Sequence, residues 1–147
     1  MNGKKIMTTL GILLLVGLGY FKGMGIYSSS KVVDLGLKDN KLQLCGEKPN
    51  CVNSFNTNIK HQVEPIKTSI NIEIIVERFK ANGLELISQN DNYARFIYSS
   101  KIMGYVDDIE ILKDGEILHI RSASRVGYSD MGANRKRVES LRLILSK

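Results

Sequence analysis

Cysteine and histidine are scarce: the 147 residues hold two of each, Cys45, Cys51, His61 and His119. That scarcity speaks against a zinc site, which needs four ligands, because neither histidine stands at a zinc-ligand spacing from the cysteines. No G-x-S-x-G nucleophile elbow appears either. No cysteine closely follows the apolar N-terminal run, so a bacterial lipoprotein is unsupported. No nucleic-acid motif is present, and Tyr and Phe do not interleave with the basic run near the C-terminus, so nucleic acid is not expected as a partner. Nothing calls for a metal or another cofactor.

What is present is a chain 43% hydrophobic, enough to build one core. The formal net charge of +6 is unevenly placed. From Arg121 to Lys147 seven Lys/Arg stand against two Asp/Glu, whereas from Lys38 to Ile120 ten stand against twelve. A local basic excess points to an anion site or an anionic surface.

Lys4 and Lys5 precede an apolar run from Ile6 to Phe21, the pattern of a charged flank and a hydrophobic segment. Those sixteen residues cover about 24 Å as a helix, slightly short of a bilayer core of about 30 Å. Extension through a snorkelling Lys22 to Ile26 closes the gap. Residues 1–26 are therefore read as a signal anchor. Cleavage is the rival reading, and the small residues at Gly23-Met24-Gly25 and Ser28-Ser29-Ser30 give it no Ala-x-Ala box. Both readings export the remainder, to the periplasm or cell surface. Residues 27–43 read as a linker leading off the membrane, and residues 44–147 as the extracytoplasmic domain.

Cys45 and Cys51 enclose Gly46, Pro49 and Asn50, residues that permit a tight turn. In an exported chain two cysteines this close are expected to form a disulfide, with free thiols as the alternative. Next, His61 to Ile66 reads as extended. Ser69 is a candidate N-cap, and Ile72, Ile75, Val76 and Phe79 form the apolar stripe of a helix that ends at Asn82-Gly83. Leu84–Gln89 and Tyr93–Ser99 are expected strands.

Asp114-Gly115 between Val106–Lys113 and Glu116–Ser124 reads as a two-residue type I′ hairpin turn. That turn sets Glu110 opposite His119 and Asp108 opposite Arg121. Alternation puts Ile109, Ile111, Leu118 and Ile120 on the core face and Asp108, Glu110, His119 and Arg121 on the other. A solvated outer face is one reading; the other has Asp108 holding Arg121 towards a ligand. Asp107, on the core side, requires a partner, from Ser122, Ser124 or a nearby basic residue. Ser129 or Asp130 is expected to cap the last helix, whose stripe is Val138, Leu141, Ile144 and Leu145. The fold class is α+β: a mainly antiparallel sheet of four or five strands with two helices on one face.

The stretch from Arg121 to Arg137, Arg-Ser-Ala-Ser-Arg-Val-Gly-Tyr-Ser-Asp-Met-Gly-Ala-Asn-Arg-Lys-Arg, carries five cationic side chains around the start of that helix. A helix N-terminus with Arg121, Arg125 and Arg135 about it is a candidate anion site. A structural salt-bridge network is the competing reading.

This stretch, with Leu44–Ser54 and Tyr105-Val106-Asp107-Asp108, resembles the family catalogued as domain of unknown function 1499. The resemblance spans about Leu44 to Leu145, with Asn53 standing where a serine is usual. It implies a small, mostly bacterial protein with a membrane or export segment and no established activity. Asp107, Ser122, Ser124 and Asp130 are motif positions, as are the candidate ligand-binding residues Asp108, Arg121, Arg125, Asn134, Arg135 and Arg137. The reading adopted is a membrane-tethered binding module for an anionic ligand or envelope component. A structural partner of another membrane protein is the alternative. A hydrolase ranks last, because only His119 with Glu110 forms a base and its orienter.

Overall fold

The computed structural model describes residues 3–146. The Lys4 side chain and Lys147, both invoked above, lie outside it. The first helix, α1, runs Gly3–Ser30 and is apolar on every side through most of its length. Its segment Lys5–Ser30 is long and apolar enough to cross a membrane, and 6% of its most apolar window is buried against the chain. A helix apolar all round needs an apolar surrounding that this chain does not provide.

The stretch read as a linker lies on the domain instead. After α1, a small hairpin of β1 (Leu37–Lys38) and β2 (Lys41–Leu42) turns at Asp39 and Asn40, both in the left-handed region that these short polar residues tolerate. Leu42 is buried against Tyr93 and Leu112, so the hairpin closes over the sheet.

The main sheet has six strands: β3 (Cys51–Asn53), β4 (Ile66–Lys67), β5 (Glu85–Gln89), β6 (Tyr93–Ser99), β7 (Val106–Asp114) and β8 (Ile117–Ser124). All named pairs are antiparallel, in the order β3-β8-β7-β6-β5, with β4 also on β8. The sequence showed β5 to β8 but not β3, whose three residues are too short for a period. The segment expected at His61–Ile66 forms its strand only at its end, in β4.

Helices α2 (Ile72–Ala81) and α3 (Ala133–Leu145) pack on one sheet face, around Ile75, Phe79, Phe96, Ile109, Ile120 and Val138. The cap of α2 is Asn71, not Ser69: its Oδ1 accepts from Ile74 N at 3.1 Å. Gly83 follows at φ +89° as expected.

The β7–β8 hairpin corrects the expected register. Gly115 and Glu116, not Asp114 and Gly115, are the turn's central residues, and Asp114 pairs with Ile117. Gly115 has φ +54° while Glu116 does not have positive φ, the pattern of a II′-type turn with glycine first. Every partner moves by two: Glu110 faces Arg121, Asp108 faces Ala123, Leu112 faces His119 and Asp107 faces Ser124. A shift of two preserves side-chain parity, so the assignment of faces stands while the expected Asp108–Arg121 and Glu110–His119 pairs do not.

Candidate functional site

The outer sheet face is not solvated. Asp108 is 1% exposed and Glu110 fully buried, each a carboxylate that must be matched. Arg125 clasps Asp108 with two bonds, Nε to Oδ2 at 2.7 Å and Nη2 to Oδ1 at 3.0 Å. Arg95, from β6, adds Nη2 to Oδ1 at 2.8 Å. Glu110 accepts from Arg121 Nη1 at 3.0 Å, Tyr93 Oη at 2.8 Å and the Gly36 amide at 3.1 Å. Burial would raise the Asp108 carboxyl, but the hydrogen bonds and charges of Arg125 and Arg95 outweigh it and hold it below the usual range. The same carboxylate pushes Arg125 up, and burial beside Glu110 pushes the Tyr93 hydroxyl up.

This network also fastens α1. Arg125 Nη1 reaches the carbonyls of Ser29 and Lys31 at 3.4 Å each, and Lys31 Nζ donates to Arg125 O at 2.8 Å. Ser28 Oγ, fully buried, accepts from Val106 N at 3.0 Å. Gly25 lies against the 103–104 backbone so closely that a Cβ there would meet Met103 O at 1.7 Å. Lys22 Nζ donates to Ile102 O at 2.9 Å.

A second network occupies the helix side. Asp107 finds its partner in Arg137 of α3, Nη2 to Oδ2 at 2.7 Å, and that guanidinium lies 4.4 Å from the Tyr98 ring. Arg137 also donates to Asn134 Oδ1 at 2.8 Å. Asn134, fully buried, shares its amide hydrogens among Asn50 O, Ser124 Oγ and Asp130 Oδ2 at 2.7–3.0 Å, and accepts from Ser122 Oγ at 2.5 Å. Asn50 O takes Ser124 N as well, at 2.9 Å. The disulfide Cys45–Cys51 ends the loop that presents Asn50, which joins cysteine loop and basic motif in one unit. Neither Ser129 nor Asp130 is the N-cap of α3; Gly132 is, without a side-chain bond. Asp130 nevertheless accepts from Gly132 N and Asn134 N at 3.0 and 2.7 Å.

The six residues expected in one site thus divide three ways. Asp108, Arg121 and Arg125 lie under α1 and the small hairpin. Asn134 and Arg137 lie on the opposite sheet face. Arg135 holds a loop, donating to Gln62 O at 2.7 Å and Lys60 O at 3.2 Å. The motif does not gather Arg121, Arg125 and Arg135 around one helix start. Sequence reading missed Arg95, Tyr93 and Asn50; the alternation of Tyr93 and Arg95 along β6 was the available signal, and it needed the β6–β7 register to be used. The Glu110–His119 dyad is not formed. His119 Nδ1 instead lies 3.3 Å from Ser54 Oγ beneath the stacked Phe55 ring, and burial lowers its pKa.

Beside the second network opens a cleft of about 870 Å³ between α3 and the ends of β6–β8. Tyr98, Leu141 and Ile144 give it apolar walls, Phe21 of α1 closes one side, and Asp107, Asp130, Lys136 and Arg137 are the charged residues of its lining. Lys136 makes no ion pair among the described residues.

The family model described as protein of unknown function, DUF1499, matches residues 41–145. The chain belongs to the DUF1499 family. Searches of the curated proteins and of the solved structures found no match. The matched span of this DUF1499 chain contains the paired carboxylates and guanidinium groups of both networks and every cleft-lining residue except Phe21.

Proposed function

We propose that this DUF1499 protein is a membrane-tethered, extracytoplasmic binding module whose cleft takes a lipid-class amphipathic anion. The observation that carries the reading is the cleft itself. Apolar walls meet a polar edge where Arg137 is paired with Asp107 and Lys136 has no ion-pair partner among the described residues, and one wall belongs to the apolar helix. An acyl or isoprenoid body would lie along Tyr98, Leu141 and Ile144, with its anionic head against Lys136. Asn134 and Arg137 shape this site. Asp108, Arg121 and Arg125 clamp α1 to the sheet, and Arg135 clamps a loop, so the anion site assigned to them is replaced by the cleft. Export is supported by the disulfide and by Lys5 ahead of the apolar run. Retention of the helix is supported by the burial of Ser28 and the close seat of Gly25, both of which the cleavage reading would detach or leave at a new terminus.

The test is native mass spectrometry of the full chain released from nanodiscs, beside displacement of a fluorescent fatty acid. Wild type is expected to retain an anionic lipid. Ser140→Trp, which fills the cleft from an exposed position on its lining, should abolish retention, and Lys136→Glu should weaken it at least about tenfold, the scale of one lost charge-assisted contact. A wild-type chain that carries no lipid, or a Ser140→Trp variant that carries as much, overturns the reading.

A further inference from the structure

Three exposed apolar side chains stand where α1 leaves the domain. Ile102 is 78% exposed, Tyr128 73% and Met131 92%. Folding does not explain them, because none of the three covers the core. Met131 is also held at φ +52°, a left-handed backbone that a long side chain seldom adopts, and so an unfavourable conformation presents an apolar group to solvent. The level of Ile102 and Met131 along α1 is fixed by contacts, and Tyr128 stands between Gly127 and Ser129, which line the same cleft as Phe21. The apolar run ends at Phe21; the next residue, Lys22, bonds Ile102 O, and Phe21 itself lines the cleft together with Met131. Because Lys22 and Gly25 already lie against residues 102–104, the hydrocarbon boundary falls near Phe21, short of the Ile26 expected for the span, and beside these loop tips. Lys22 bonds the Ile102 carbonyl, Lys101 precedes Ile102 in the chain and Lys136 shares the cleft lining with Met131, cations suited to lipid phosphates.

We infer that loops 100–104 and 126–132 enter the headgroup region of the leaflet from which α1 emerges, with Ile102, Tyr128 and Met131 as the inserted side chains. The occupant of this patch is the bilayer surface. Docking of α1 through Gly25 and Ser28 makes the insertion a fixed posture of the domain. The cleft mouth, shared by Phe21 and Met131, then opens at the lipid, and its ligand enters laterally from the leaflet. This last point rests on the cleft reading above, while the insertion does not.

The chain contains no tryptophan, so single substitutions report depth without background. The full chain carrying Ile102→Trp, Met131→Trp or Glu116→Trp is placed in phosphatidylcholine–phosphatidylglycerol vesicles with brominated acyl chains. Glu116 is the exposed control at the far end of β7, about 25–30 Å along the strand from Val106. The first two variants are expected to shift to the blue and to be quenched several-fold more than the third. Equal quenching of all three overturns the insertion. An Ile102→Asp, Met131→Asp double variant should take up bilayer lipid several-fold more slowly, yet bind a short-chain soluble phospholipid as wild type does. Unchanged bilayer uptake overturns the lateral route. Failure of wild type to bind even the soluble lipid strikes the cleft reading and leaves the insertion standing.

Discussion

Asp108 is the residue on which the outer network turns. It is almost fully buried and matched by two guanidinium groups, Arg95 of β6 and Arg125 just past the end of β8. Removing one member of such a cluster leaves uncompensated charge, a loss of about 3–5 kcal/mol. Asp108→Asn is therefore expected to melt far below wild type by circular dichroism, and a fall of less than about 1 kcal/mol would show the cluster to be ornamental. Arg121→Ala should behave likewise, because it strips the buried Glu110 of its guanidinium. Lowering of the Asp108 pKa by folding has a defined consequence for acid. The unfolded chain binds this proton more readily than the folded chain, so the contribution is complete above about pH 4 and is lost as pH falls through the lowered value. Urea titrations from pH 7 to pH 3 should show the gap between wild type and Asp108→Asn narrowing at the acid end; a constant gap would remove Asp108 from the acid response.

At the scale of elements, the seat of α1 depends on one glycine. A Cβ at Gly25 cannot coexist with the Met103 carbonyl, so Gly25→Val should lift the end of α1 from loop 100–104. Protease nicking near residues 31–36 should then accelerate at least tenfold in detergent, while Gly23→Val, with open space around it, should leave the rate unchanged. The hairpin shows how far the sequence could be read. Period-two alternation identified β7, β8 and their buried face, because Ile109, Ile111, Leu118 and Ile120 leave no second choice. It did not fix the register, since a glycine beside Asp114 serves equally as the second residue of one turn type and the first of another. Two positions of slip exchanged Arg121 for Ala123 opposite Asp108 and hid the network. The polar face looked solvated for a related reason. Its cover comes from residues 27–43, whose mixed composition carries no period, and a local pattern cannot reveal what a distant segment lays over it. The helix-side network was half legible: Asp107 was known to need a partner, but Arg137 reaches it from another element, thirty positions on.

For the whole molecule, retention of α1 makes a direct prediction. Mature protein isolated from membranes should keep its apolar run, and N-terminal sequencing that begins at or beyond Ile26 would contradict it. Alkylation without reduction should find no free thiol on that material, since Cys45 and Cys51 are joined. The contacts of α1 also order events during synthesis. Ser28 must wait for Val106, 78 positions later, and Lys31 for Arg125, 94 positions later, whereas the cysteine loop closes over a separation of six. Long closures are slow and come late. In the exported topology proposed above, the emerging chain would hold α1 in the bilayer, with a finished disulfide, while the domain beyond it stays open until residues as late as Arg125 have arrived. Nascent chains stalled before Arg125 should be oxidised yet fully protease-sensitive, and those released beyond Arg137 resistant. Helix α1 is thus made early and is among the last parts to be locked.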